Sequence, residues 1–175
     1  LSRRDFRSAM RLSDCERERS RLSDAETLCG HFPADVIPAD VAVLDYSVIN
    51  DEIFLITLHG SVVAGSRLNT SASWIDARSL KFVDAIRNGD DTAAKTLAAD
   101  LYDDLLEPTI GQLEGATTLV IAGSPARNSL PFSALWSRRT AHYLIENWTI
   151  IYTPDISQLI AAIRRDRELR RSRQA

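Results

Sequence analysis

The segment that most constrains the fold is Thr118-Leu119-Val120-Ile121-Ala122, a short unbroken run set between Gly115 and Gly123-Ser124-Pro125. It is too short for a buried helix and rich in β-branched residues. Such a run is a strand covered on both faces, the central strand of an α/β sheet. A strand of this kind needs hydrogen-bonded neighbours on both sides, and few candidate partners follow it in the chain. An uncovered edge at 118–122 is therefore expected, and with it poor solubility.

The rest of the chain supplies the layers. Residues 41–48 (VAVLDYSV) and 53–58 (IFLITL) read as strands joined through Asn50-Asp51. Gly60-Ser61 turns into a third strand at 62–64, completing an antiparallel meander. Residues 71–87 are expected to be helical, with Ile75, Leu80, Val83 and Ile86 as an imperfect apolar stripe. A second helix follows over 91–107, capped by Asp91 or Thr92, with Ala94, Leu97, Ala98, Leu101 and Leu105 on its apolar face. Residues 143–145 and 149–152 read as short strands, and a helix starts at Ile156. The order predicts an α/β fold: a mixed sheet with an N-terminal antiparallel meander, flanking helices and a buried central strand.

With 175 residues, 45% of them hydrophobic, the chain can build one real core but not two comfortable ones. Three stretches are expected. Residues 1–35 form a helical connector, with a capping box at Ser23 and Glu26; residues 36–163 form the domain; residues 164–175 are a charged helix end or linker. The net charge of −3 hides an asymmetry. Seven Arg against four acids give +3 over residues 1–21, and six against two give +4 over 164–175, which leaves −10 for the body. An acidic body argues against a nucleic-acid-binding face on the fold. The terminal run RRDRELRRSR has mixed signs at helical spacing, which favours a solvated helix over RNA or membrane binding. No run is long and apolar enough for a membrane helix, and no signal-peptide pattern opens the chain. Cys15 and Cys29 make no disulfide framework, so free thiols in the cytoplasm are expected.

Each candidate for chemistry competes with a plainer reading. His59-Gly60 follows an apolar strand, as the base does in caspase-like peptidases. Both Cys precede it, however, and the buried strand ends in Ala-Gly-Ser, so a turn-flanking histidine is favoured. Ser124, His142 and Asp155 could be scanned as a hydrolase triad, but their order and the missing nucleophile elbow speak against it. Cys29 and His31 lack the further ligands a metal needs. Neighbouring carboxylates, as in Asp103-Asp104, point to different helix faces and form no dyad. Asp90-Asp91 suits helix capping. Trp74, Trp136 and Trp148 read as core or rim aromatics rather than a ligand cage.

Together, residues 119–125, Leu130-Pro131-Phe132-Ser133-Ala134-Leu135, Tyr143-Leu144-Ile145-Glu146, residues 149–154 and Ile156-Ser157 resemble the CHAT domain. This is a caspase-like family found with TPR repeats and related to separase and the caspases. Upstream, Ile37-Pro38-Ala39-Asp40, Val43-Leu44-Asp45-Tyr46 and the hairpin at 51–58 are similar too, so the resemblance runs over about 36–163. Two positions depart from the family pattern. The turn is Gly123-Ser124-Pro125 where Pro-Asp-Gly is usual, and Pro154-Asp155-Ile156-Ser157 keeps only the Ser of the helix start. The resemblance implies a partial caspase-like fold whose catalytic His-Gly and Ser-Ala-Cys would follow this segment. No catalytic residue is therefore carried onto the chain, and neither a cofactor nor a metal is implied. What carries over is structural: Pro131 fixing its backbone angle, with Leu130, Phe132 and Leu135 packed beside the buried strand. The implied function is the N-terminal structural half of a cysteine peptidase, inactive alone. The alternative is a non-catalytic protein-interaction module of the same fold. The expected partners are the missing C-terminal half and a protein or peptide substrate or regulator, with no nucleic acid or membrane.

Overall fold

A computed structural model describes residues 37–60, 62–125 and 130–174. The chain divides after Pro33, and all these residues belong to its second unit, 34–175. The helices expected over 6–28, the Ser23 capping box, Cys15, Cys29 and His31 lie outside the described residues.

Strands β1 (Val41–Ile49) and β2 (Glu52–His59) form the antiparallel hairpin. Asn50 and Asp51 both take positive φ, 50° and 69°, the combination a two-residue hairpin turn requires. Strand β3 (Val62–Ser71) pairs with β2 and is longer than the three residues expected. Ser71 then caps α1 (Ala72–Arg87), its Oγ accepting from the Trp74 N–H at 3.2 Å. Helix α2 (Asp91–Leu105) is capped by Asp90, one residue before the Asp91 or Thr92 expected at the helix start but within the Asp90-Asp91 pair read as capping. Asp90 takes that position because its carboxylate reaches the Ala93 N–H at 3.0 Å. A 3-10 turn, Glu107–Gln112, carries the chain into β4 (Thr118–Gly123).

Beyond β4 come a 3-10 turn (Phe132–Ala134), the ribbon β5 (Trp136–Ser137) and β6 (His142–Tyr143), helix α3 (Leu144–Asn147), strand β7 (Thr149–Thr153) and helix α4 (Ile156–Gln174). The expected strand at 143–145 is thus mostly a single helical turn. The Glu146 carboxylate folds back onto the Tyr143 N–H at 2.5 Å and closes the helix start, which outweighs the local β-propensity.

The five main strands run in the order β3-β2-β1-β4-β7. Strands β1, β4 and β7 are mutually parallel, so the sheet is mixed and the fold is α/β, consistent with a partial caspase-like fold. The expected open edge at 118–122 is corrected here. Strand β4 has β1 on one side and β7 on the other, because the short ribbon and helix after it bring 149–153 alongside. The open parallel edge lies one strand further out, at β7, where Ile151 and Tyr152 are exposed.

The strand period of two splits the sheet into two faces. One presents Ala42, Leu44, Tyr46, Leu55, Leu119 and Ile121 to the main core, with Ile75 and Phe82 of α1 and Leu101 and Leu105 of α2. The other presents Val43, Ile56, Leu58, Val120 and Ala122, also buried. On α1 the buried stripe is Ala72, Ile75, Ser79, Phe82 and Ala85. Leu80 and Ile86, expected inside, are half exposed because their phase falls off that stripe.

Candidate functional site

In open sheets with parallel strands, chemistry gathers where the strands end at their carboxyl sides. Here that edge is made by Tyr46 of β1, Gly123 of β4 and Thr153 of β7, the first two directly paired in register. Gly123 has φ +67°, and a β-carbon there would sit 2.3 Å from the Tyr46 carbonyl oxygen. Only glycine fits so close an approach. The same absent β-carbon would lie 3.4 Å from Oδ1 of Asp45, a carboxylate only 3% exposed.

The Leu-Pro-Phe segment closes this end of the core. Leu130, Phe132 and Leu135 are buried. The Phe132 ring lies 5.6 Å from that of Tyr46 and 6.4 Å, edge-on, from that of Tyr152. One side chain therefore spans from β1 to β7 over the end of β4. Pro131, at φ −76°, starts the 3-10 turn that aims Phe132 inward. Tyr46 donates its hydroxyl to the Leu105 carbonyl at 3.0 Å, tying β1 to the end of α2. Burial pushes that phenol well above the ordinary tyrosine range.

His59 lies at the wrong end. It pairs with Ala42 near the start of β1, whereas the strand ends meet at Tyr46. Four residues of strand separate the two levels, about 13 Å. Both ring nitrogens also face backbone carbonyls, Nδ1 that of Gln112 at 3.0 Å and Nε2 that of Ala39 at 2.9 Å. The imidazole sits between the loop before β1 and the 3-10 turn before β4, away from the carboxyl ends of the parallel strands.

The scanned trio is likewise committed to local structure. His142 Nδ1 donates to the Thr140 carbonyl at 2.7 Å, since a carbonyl can only accept. Both oxygens of Asp155 accept from Gln158, from its backbone N–H at 2.9 Å and its side-chain amide at 3.2 Å. Ser124 is exposed just past β4. Among the described residues no group of three or more His, Cys, Asp or Glu is placed to hold a metal ion. No helix among them is long and apolar enough to cross a membrane.

The carboxylates 103 and 104 diverge as expected: Asp103 pairs with Arg138, and Asp104 accepts from the Trp74 indole at 3.3 Å. Trp74 itself is 49% exposed, with the Arg78 guanidinium 4.4 Å from its ring centre. Trp136 and Trp148 pack against the core from its rim. No local sequence pattern signals the ionic chain Arg78–Asp100–Arg138–Asp103, which links α1, α2 and the turn after β5. Its members are 22 to 38 residues apart in pairs, beyond any local pattern. Burial works against the Asp100 carboxylate, but hydrogen bonds from Arg138 and Arg78 outweigh it and hold its pKa below the usual carboxylate value. A shallow cleft of about 390 Å³ beside this chain is lined by Asp91, Lys95, Trp136 and Arg138 among others. The Lys95 ammonium already covers the Trp136 ring there, at 3.8 Å.

No curated protein matches the chain. The matched family segment starts within α2 and takes in β4, the Leu-Pro-Phe segment, β7 and α4, while β1, β2 and β3 lie outside it. Over residues 95–175 the chain matches the family model of the CHAT domain, the family whose pattern its sequence resembles.

Proposed function

We propose that this fold is the N-terminal structural part of a CHAT-type, caspase-like cysteine peptidase that works in the cytoplasm beside TPR repeats. The observation that carries the reading is the outer edge of β7. It is a parallel strand with Ile151 and Tyr152 exposed on opposite faces, at the side of the sheet where further strands would add. Helix α4 leaves from the end of β7 with Ile156 and Ile160 buried, as a crossover to a next parallel strand would. The thiolate and its histidine base would come from those added strands and attack a peptide carbonyl at the carboxyl ends of the strands. Gly123, the Leu-Pro-Phe segment and the Tyr46 anchor support that edge and carry no reacting group.

The test is the reading frame after Ala175. A His-Gly following one strand and a Cys following the next are expected. A protein extended through them should cleave peptides in a thiol-dependent way and lose activity when that Cys becomes Ala. An extended sheet without the pair would instead favour the interaction module.

A further inference from the structure

His59 ends β2, and its ring lies between two backbone carbonyls. Nδ1 is 3.0 Å from the oxygen of Gln112, at the end of the 3-10 turn before β4. Nε2 is 2.9 Å from the oxygen of Ala39, in the loop leading into β1. A carbonyl oxygen only accepts, so each contact is a hydrogen bond only when the nitrogen facing it carries a proton. A neutral imidazole has one N–H and one lone pair. It bonds one carbonyl and turns the lone pair on the other. The imidazolium has two N–H groups and bonds both. The loop carbonyls on either side are held by backbone donors that do not titrate. Asp40 accepts from the N–H groups of Thr117 and Thr118 at 2.9 and 3.1 Å, and Pro38 from that of Val41 at 3.0 Å. Between them, the Ala39 carbonyl faces the one donor that can lose its proton.

The described segments around the ring carry few other charges. Asp40 adjoins Ala39, Glu114 lies two residues past Gln112, and Glu107 opens the turn. Along the strands, Asp45 pairs with Ile56 and Arg67 with Phe54, three and five residues from His59. Arg67, the cation among them, is already paired with Glu52 at 2.6 Å. From this geometry we infer that His59 is a proton-operated latch. Protonated, it fastens the loop into β1 to the turn before β4 through both carbonyls. Neutral, it lets go of one of them. Mild acid thus tightens the amino ends of β1 and β4, the end of the sheet opposite Gly123. A bond that only the imidazolium makes stabilises the folded chain in mild acid and is lost as the pH rises. The inference is independent of whether the fold is part of a peptidase.

The test is urea unfolding of the 175-residue protein and of its His59→Gln variant, at about pH 6 and about pH 8.5, on either side of the imidazole range. A glutamine amide hydrogen-bonds in the same way at both. The loss that H59Q causes in the folding equilibrium constant should be roughly fivefold greater at the lower pH. His142→Gln serves as the control. That ring is exposed and donates from Nδ1 to the Thr140 carbonyl, so its loss should change by less than about twofold between the two conditions. Nitrogen-15 spectra of the parent protein read the latch without any variant. At about pH 6 the His59 ring should show two N–H groups, both protected from exchange with water. A loss from H59Q that is equal at both pH values, or larger at the higher one, would overturn the proposal. So would a His59 ring that carries a single N–H at about pH 6.

Discussion

At the scale of single residues, Gly123 is the position with least freedom. A methyl group there meets the Tyr46 carbonyl at 2.3 Å on a backbone already at φ +67°. Gly123→Ala is expected to destabilise the fold by about 2 kcal/mol or more, measured by urea unfolding. Tyr46→Phe should cost about 1 kcal/mol through the lost bond to Leu105. Much at this scale was legible. Gly123 ends an apolar run, and Leu130, Phe132 and Leu135 sit in a recognisable pattern, so their burial follows from the sequence. Trp74 was not legible, because a large aromatic at helical spacing looks like core. What places it outside is a partner pair, Arg78 and Asp104, that only tertiary structure assembles.

At the scale of elements, the hairpin, both long helices and the buried strand could be read from periodicity. The errors lie where a few polar contacts decide. Tyr143-Leu144-Ile145 has strand propensity, yet one carboxylate turns it into a helix start. Glu146→Ala should cost about 1 kcal/mol, and Asp90→Ala a similar amount at α2, each read from the melting temperature. The ionic chain adds a pH dependence. Asp100 has a lowered folded pKa, so its stabilisation is complete above its unfolded value of about 3.9 and is lost as the pH falls through the lower folded value. Asp100→Asn should therefore reduce stability at neutral pH by about 1 kcal/mol and flatten the acid limb of a stability-versus-pH curve. A limb as steep as the parent's would show that the two arginines do little for the folded state.

At the scale of the whole molecule, the sequence located the difficulty correctly but one strand too far inward. It showed that an apolar parallel strand needs company. It could not show that residues 149–153 return to supply it, because that return depends on a one-turn helix and a two-residue ribbon with almost no periodic signal. The consequence is a testable change. Self-association should run through β7 rather than β4, and Ile151→Lys should raise the concentration at which the protein stays monodisperse in light scattering.

The same topology separates His59 from the strand ends where a caspase-like site would form, and commits it to two backbone carbonyls. The most direct measurement is therefore a peptidase assay of the purified 175-residue protein on a fluorogenic peptide library, with and without iodoacetamide. No alkylation-sensitive turnover is predicted. Cleavage that alkylation abolishes would mean that the chain already holds a working thiol and base, contrary to the account.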